Sequence, residues 1–408
     1  MPKTSKVHFT KHFNWAQELF GAPYRIFFLS SALAAVFLIP TWLALFRWGD
    51  RTLITLPPLS WHVHEMLGGF LVPAIAGFIL TAVANWTRTN ALCGWKLFAL
   101  WSLWLAGRLA MALGAHHRVL AIMIDLAFMP ILTFIVARRV WHARQSRQSI
   151  LVLILTLFWL FDLGFHLSGS IRFLYATVLL AATLIVVIGG RITPTFTANW
   201  LRRQGRDTTT VRRQPWLDHL CVVACLILVL SECAGYRPVW LTGPVALLTA
   251  LALLFRVIGW SGWSTREEPL LWILHVGHLW LVVGFGLFAL AAFSLVPSAA
   301  WLHALGAGAM ATMILGVMTR VTVAHTGRPL QLVSNAIILY LAIVAAGLLR
   351  VMTALGWIPF WPGLFISGSA WSLAFVLFLW HYLPILCTPP VGDNSVREGG
   401  SSDANRTN

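Results

Sequence analysis

Long runs of apolar residues recur along this chain and are separated by short stretches that carry charge, proline or glycine. About 20 apolar residues cross the hydrocarbon core of a bilayer as a helix. Because lipid offers the backbone no hydrogen-bond partner, only helices and closed barrels span a membrane. The pattern predicts an all-α, polytopic membrane helical bundle of about twelve transmembrane helices. The runs lie near 24–46, 64–84, 95–113, 118–137, 149–169, 172–190, 217–234, 238–257, 270–294, 299–319, 333–354 and 360–386.

The composition supports a lipid bilayer as the main surrounding of the chain. Only 10% of the 408 residues are charged, whereas about a quarter are charged in a soluble domain. The 22 tryptophans suit the interfaces of a bilayer, where this residue concentrates. The net charge of +16 could suit nucleic acid, but the basic residues lie between the apolar runs. We therefore expect no nucleic-acid partner.

The distribution of lysine and arginine predicts the topology. Most of these residues fall in the N-terminus, the even-numbered loops and the C-terminus. Since basic loops stay in the cytoplasm, both termini are predicted to be cytoplasmic. The predicted organisation is a cytoplasmic N-terminal extension over 1–23, a twelve-helix membrane domain over 24–386 and a disordered cytoplasmic tail over 387–408.

The second, sixth and tenth runs end in similar sequences. The compared positions are Asn85, Asn199 and His325, which follow one another at intervals of four helices. His64 precedes Asn85, and His303 precedes His325, by about 32 Å of helix, which is one bilayer thickness. We interpret the chain as three repeats of four helices, with chance similarity between apolar segments as the alternative.

Histidines gather in two tiers, one at each predicted face of the membrane. At the periplasmic face, His62 and His64 open the second run and His303 has the matching position in the tenth. Ionisable groups are costly at this depth, and neutral imidazole is the commonest metal ligand. We predict that these three histidines ligate metal and that Glu65 accepts an imidazole N–H. The alternative is that these histidines are loop residues exposed to water at the membrane interface. Since His62 and His64 are two residues apart, a regular helix cannot point both the same way.

The cytoplasmic tier holds a second candidate set. His275 and His278 are three residues apart and share a helix face. Together with His325 from the tenth run they are predicted to be metal ligands. The alternative is that the two imidazoles find hydrogen-bond partners within the apolar core and bind no metal. An all-histidine environment suits haem iron and copper, and zinc stays open.

Other polar groups within the runs extend this picture. Asp162 and His166 stand four residues apart and are predicted to pair. Arg172 near the periplasmic tier and Arg191 near the cytoplasmic tier are predicted to bind haem propionates. A topogenic charge is the alternative for Arg191.

Several motifs in a fixed order connect the chain to a known family. They are Trp61-His62-Val63-His64-Glu65-Met66, Gly77–Thr87, Leu105-Ala106-Gly107-Arg108, Gly189–Thr197, His303-Ala304, Met318-Thr319-Arg320 and Ala324–Arg328. With them the chain resembles the NnrS family, from about residue 15 to 386. These are bacterial inner-membrane proteins associated with the response to nitric oxide and described as containing haem and copper. The resemblance implies haem b, copper as a second metal, and nitric oxide or a related small molecule as partner.

The sequence is compatible with several classes of function. The first hypothesis is a haem protein that lowers nitrosative damage, with turnover, an oxidoreductase activity and the electron donor all open. The alternative is a transporter or metal-delivery protein with a four-helix repeat. A structural partner of a respiratory enzyme explains the histidines poorly. The chain departs from haem–copper oxidases, because no adjacent His-His pair lies within a run and no His-x-x-x-Tyr is present.

Overall fold

The fold is a bundle of long helices. A computed structural model describes residues 15–49 and 55–391. Over these residues twelve helices are long and apolar enough to cross a membrane, which confirms the predicted fold class and makes the chain a multi-pass membrane protein. They are α1 (Pro23–Trp48), α2 (Pro58–Thr87), α3 (Gly94–Leu113), α4 (Ala115–His142), α5 (Ser146–Ser168), α6 (Arg172–Arg203), α7 (Pro215–Ala234), α8 (Val239–Gly259), α9 (Pro269–Ala292), α10 (Ser298–Ala324), α11 (Ile337–Ala354) and α12 (Phe360–Cys387).

The predicted terminal segments lie partly outside the described residues. Residues 1–14 of the extension and 392–408 of the tail are not among them. Within the extension, Trp15–Leu19 form a short helix before α1. The disorder predicted for the tail stays a prediction.

Proline and glycine explain several helix ends. Proline occupies the first turn of α1, α2, α7 and α9, where its missing N–H costs nothing. Helices α5 and α7 end at Gly169 and Gly235, whose φ values of 69° and 68° favour glycine. The sixth run was predicted to end near 190, but α6 continues through Pro194 to Arg203. Prolines within membrane helices are tolerated where neighbouring groups satisfy the freed backbone carbonyl.

Three helices form the centre of the bundle. The buried share of the apolar window is 72% for α2, 78% for α6 and 67% for α10, the highest values among the described spans. Helix α10 packs against both α2 and α6. These are the helices with the similar endings, although the threefold repeat itself stays a prediction. Large apolar side chains are exposed on the outer helices, where they suit contact with lipid: Phe37, Phe134, Leu230 and Phe255.

Two π-helical segments interrupt central helices close to the histidines. They span Met66–Leu71 in α2 and Ala304–Met310 in α10. A π segment rotates the residues on either side of it and loosens the backbone hydrogen bonding. In α2, Trp104 Nε1 donates to the Gly68 carbonyl at 2.9 Å, and Ser31 Oγ donates to the Phe70 carbonyl at 2.8 Å. Side chains from α1 and α3 therefore support the irregular turn.

Arg25 connects the start of α1 to the end of α12 through hydrogen bonds. Its Nη1 atom donates to the carbonyl oxygens of Leu386 at 2.8 Å and Thr388 at 2.7 Å. Its Nε atom donates to Tyr24 Oη at 3.2 Å, and Glu18 lies 3.5 Å from Nη1. The side chain is buried, so water cannot replace these partners.

We expect Arg25→Ala to lower the free energy of unfolding by about 2–3 kcal/mol, because two buried carbonyls lose a charged donor. Unfolding in detergent measures this change. The control is Arg212→Ala, an exposed arginine, which should change stability by less than about 0.5 kcal/mol. Equal losses in both variants would contradict the role given to Arg25.

Candidate functional site

His62 and His64 point to different sides of α2, as their spacing predicted. The ring of His62 stacks on Trp42 of α1, with the centroids 4.2 Å apart. The ring of His64 is buried among side chains of α4 and α5, including Asp125 and Phe165. The motif therefore contributes to two sites rather than one.

Around His64, four helices contribute polar side chains to what we call the acidic histidine cluster. Its members are His64 and Glu65 of α2, Arg108 of α3, Asp125 of α4, and Asp162 and His166 of α5.

Two imidazoles and two carboxylates face one another at the centre of the cluster. The Nε2 atom of His64 lies 3.1 Å from Asp125 Oδ2 and 3.3 Å from Asp162 Oδ1. The Nε2 atom of His166 lies 3.3 Å from Asp125 Oδ2 and 3.6 Å from Asp162 Oδ1. The predicted pair of Asp162 and His166 is confirmed, and it belongs to a larger group.

Glu65 and Arg108 form the next layer of the cluster. Glu65 Oε1 lies 3.0 Å from His64 Nδ1 and accepts from Arg108 Nη1 at 2.9 Å. Arg108 Nη2 also contacts Asp125 Oδ1. The sequence predicted that Glu65 would accept from an imidazole, and the structure places it beside His64. One guanidinium thus holds carboxylates from two helices.

Close packing positions this layer. A Cβ atom on Gly107 would lie 3.1 Å from the Cα atom of Asp125, and one on Gly68 would lie 2.5 Å from Arg108 Nη1. Both glycines let neighbouring helices approach the cluster. A cavity of about 40 Å³ adjoins it, between the polar groups and the rings of Trp104 and Phe128.

His62 and His303 line a second, larger site, which we call the His62–His303 cavity. Its volume is about 340 Å³, and its walls come from α1, α2, α6, α10, α11 and α12. The Nδ1 atom of His303 donates to the Ala299 carbonyl at 2.7 Å, so its Nε2 atom carries the lone pair. The Nδ1 atom of His62 is buried without a hydrogen-bond partner. His303 thus shares a site with His62 and not with His64.

Arg350 of α11 is the cation of this cavity. It lies within electrostatic reach of His62 and His303, and no carboxylate among the described residues pairs with it. The remaining walls are mostly apolar and include Met66, Met310 and Trp371. A ligand with an anionic group and a broad apolar surface fits these walls.

His275 and His278 face α6 at another level of the bundle. His275 Nε2 lies 3.0 Å from Thr197 Oγ1, and its Nδ1 atom is buried without a partner. His278 Nδ1 donates to the Leu274 carbonyl at 2.9 Å, and its Nε2 atom is buried against Gly189. Each imidazole keeps one unpaired nitrogen.

His325 was predicted to converge on that pair, and the structure does not bring it there. Met313 contacts Gly277, next to His278, and lies twelve residues before His325 on α10. That separation is about 18 Å of helix. His325 instead contacts Tyr24, with ring centroids 5.5 Å apart, and lies at the end of α10 beside Asn85.

The two predicted propionate partners also lie apart from the histidines. Arg172 packs against Gly235 and the ring of Phe173, and it does not line the His62–His303 cavity. Arg191 lines a shallow pocket with Trp86 and Gln148. Their roles in binding haem stay predictions that these contacts do not support.

Sequence reasoning missed Asp125 and Arg350 as site residues. Asp125 is a lone carboxylate in an apolar run, and Arg350 is a lone guanidinium in another. Intramembrane charge was the available signal, since such groups face the bundle interior and find partners there. Neither residue lies near its partners in sequence.

Buried imidazoles and carboxylates within twelve helices define a polytopic membrane protein with polar sites inside the bundle. Residues 18–389 match the family model described as NnrS protein. The chain belongs to the NnrS family, which confirms the resemblance and supports a membrane protein of the nitric oxide response. No curated protein sequence matches the chain.

We expect Glu65→Gln to lower the free energy of unfolding by about 1.5–3 kcal/mol, because Arg108 loses a charged acceptor and keeps Asp125 as its ionic partner. The matched control is Glu267→Gln, which breaks an exposed pair with Arg206 at 2.8 Å. Solvent weakens that pair, so the loss should stay below about 1 kcal/mol. Unfolding of both variants in detergent tests the difference, and equal losses would contradict it.

Proposed function

We propose that the protein is an inner-membrane haem protein that protects the cell against nitric oxide, with haem b in the His62–His303 cavity. The observation that carries the proposal is the cavity itself. Two imidazoles from α2 and α10 face one largely apolar space, and the half-buried guanidinium of Arg350, for which no carboxylate partner is found among the described residues, lines the same space. Imidazole ligates haem iron, and a guanidinium pairs with a carboxylate such as a propionate.

Each of these residues has a defined task in the proposal. His303 offers its Nε2 lone pair, because the Ala299 carbonyl fixes the proton on Nδ1. His62 is oriented by its stacking on Trp42. Arg350, which lines the same cavity, would pair with a propionate. Which imidazole ligates iron is left to the spectra of the variants.

The mostly apolar walls of the cavity suit the entry of a small apolar gas. Haem iron, when bound, supplies a site that coordinates nitric oxide and exchanges electrons. Side chains such as Phe70, Leu364 and Trp371 give the cavity mostly apolar walls. An apolar bilayer also concentrates an apolar gas. Copper stays in the proposal as the second metal, and turnover and the electron donor stay open.

The transporter alternative predicts helices that unwind near the middle of the membrane. The described spans stay helical through their length, apart from a turn at Ala127 and the two π segments. This continuity favours the haem proposal over the transporter.

We further propose that both termini lie in the cytoplasm. A C-terminal fusion to green fluorescent protein should fluoresce, and a C-terminal fusion to alkaline phosphatase should be inactive, because basic loops are retained on the inner side. Fusions in the loop between α1 and α2 should give the opposite pair of results. An active phosphatase at the C-terminus would overturn the topology.

Replacement of the cavity residues tests the haem proposal. We expect the wild-type protein in detergent to show a haem band in its reduced-minus-oxidised spectrum. At least one of His62→Ala and His303→Ala should lower haem content about tenfold or more, since even residues that only support a ligand cost that much in affinity. Arg350→Gln should weaken haem retention.

The control for this experiment is His142→Ala, because His142 is exposed and lies outside the cavity. Its spectrum should match the wild type. A wild-type protein without haem would refute the proposal, and unchanged spectra in both histidine variants would refute the choice of cavity.

A further inference from the structure

We propose that the acidic histidine cluster is a second site, which binds a divalent first-row transition metal ion through His64, Asp125, Asp162 and His166. The proposal goes beyond the haem function, because the cluster lies among α2, α3, α4 and α5, whereas His62 faces the other cavity. It rests on the cluster alone.

The separation of the donor atoms matches a metal site. Four atoms, one from each proposed ligand, lie within 4.8 Å of one another. The imidazole–carboxylate distances are 3.1, 3.3, 3.3 and 3.6 Å. A tetrahedral ion with bonds of about 2.0–2.1 Å places its donors about 3.3 Å apart. Four of the six donor separations are therefore close to those of a tetrahedral metal site, and all six are within 4.8 Å.

The imidazole of His64 has a carboxylate at each nitrogen. Glu65 lies at Nδ1, and Asp125 and Asp162 lie at Nε2. A neutral imidazole carries only one proton. With a carboxylate at each nitrogen, one nitrogen would therefore direct its lone pair at a carboxylate instead of donating a hydrogen bond. With the proton on Nδ1, donated to Glu65, the lone pair on Nε2 is free for a metal. This carboxylate–histidine arrangement is the one that orients imidazole ligands in metal sites.

The charges of the cluster also call for a cation. With neutral imidazoles, the carboxylates of Glu65, Asp125 and Asp162 face one guanidinium, that of Arg108. Most of the site is buried: the side chains of Asp125 and His166 are 1% exposed, whereas that of Asp162 is 24% exposed. Uncompensated charge is expensive in such a place. A divalent ion brings the formal charge to zero, as would a proton on each imidazole, and the zinc titration below distinguishes these two states.

The donor atoms narrow the kind of ion. Imidazole nitrogen and carboxylate oxygen suit Zn²⁺, Fe²⁺ and Cu²⁺, whereas Cu⁺ favours sulfur ligands. The adjoining cavity of about 40 Å³ has room for one water-sized molecule. Such a molecule could occupy a further coordination position, as in metal sites that keep one position open.

Zinc binding to the full-length protein tests the proposal. The protein is purified in detergent, treated with a chelator, dialysed and titrated with Zn²⁺ alone. We expect one equivalent to bind tightly and to raise the unfolding temperature, because the ion binds only the folded state. Asp162→Asn and His166→Ala should each weaken binding about a hundredfold or more and abolish the thermal shift. His142→Ala, at an exposed histidine, should behave as the wild type.

The experiment tests zinc binding at the cluster independently of haem binding. Haem content is measured on the same samples, and the variants should keep the wild-type haem spectrum, which also shows that they fold. The proposal would be overturned if the wild type bound no stoichiometric zinc. It would also be overturned if the double variant of Asp162→Asn with His166→Ala bound zinc as well as the wild type. Neither result would affect the haem proposal. A cluster held by protons alone would show no thermal shift with zinc.

Discussion

A charge inside a membrane bundle needs a partner inside the same bundle, and much of this structure follows from that need. Arg108 lies between Glu65 and Asp125, so one guanidinium joins three helices. Arg25 likewise joins the first span to the last through two carbonyls. Arg25 is buried and Arg108 is mostly so, which makes the loss of either set of partners costly. These contacts fix the relative positions of helices whose apolar faces alone would pack in several ways.

A π segment follows the histidine-bearing turn in each of the central helices α2 and α10. In α2, the segment from Met66 to Leu71 follows the histidines directly and brings the glycine backbone against Arg108 and Trp104. In α10, the segment from Ala304 to Met310 follows His303 in the same way. Irregular backbone is stable here because other helices cover it. The two proposed sites lie on opposite faces of α2, because His62 and His64 are two residues apart in the regular helix before the π segment.

Part of the candidate site was predictable because it is local. The pairing of Asp162 with His166 follows from helical spacing, and so does the divergence of His62 from His64. The grouping of His64 with Asp125 was not predictable, since 61 residues separate them. The expected convergence of His325 on His278 failed for a related reason. The sequence assigns both to the cytoplasmic half of the membrane but not to one depth, and twelve residues of α10, about 18 Å, separate His325 from the level of His278.

The sequence by itself determined the twelve spans, their approximate ends and the presence of ionisable groups within them, because hydrophobicity over 20 residues is a local property. It also carried the motifs that place the chain in its family. Only the tertiary structure decided that His62 joins His303 and Arg350 while His64 joins Asp125 and Asp162. Those partners depend on how each helix is rotated about its axis, and that rotation is set by packing and buried charge pairs between helices.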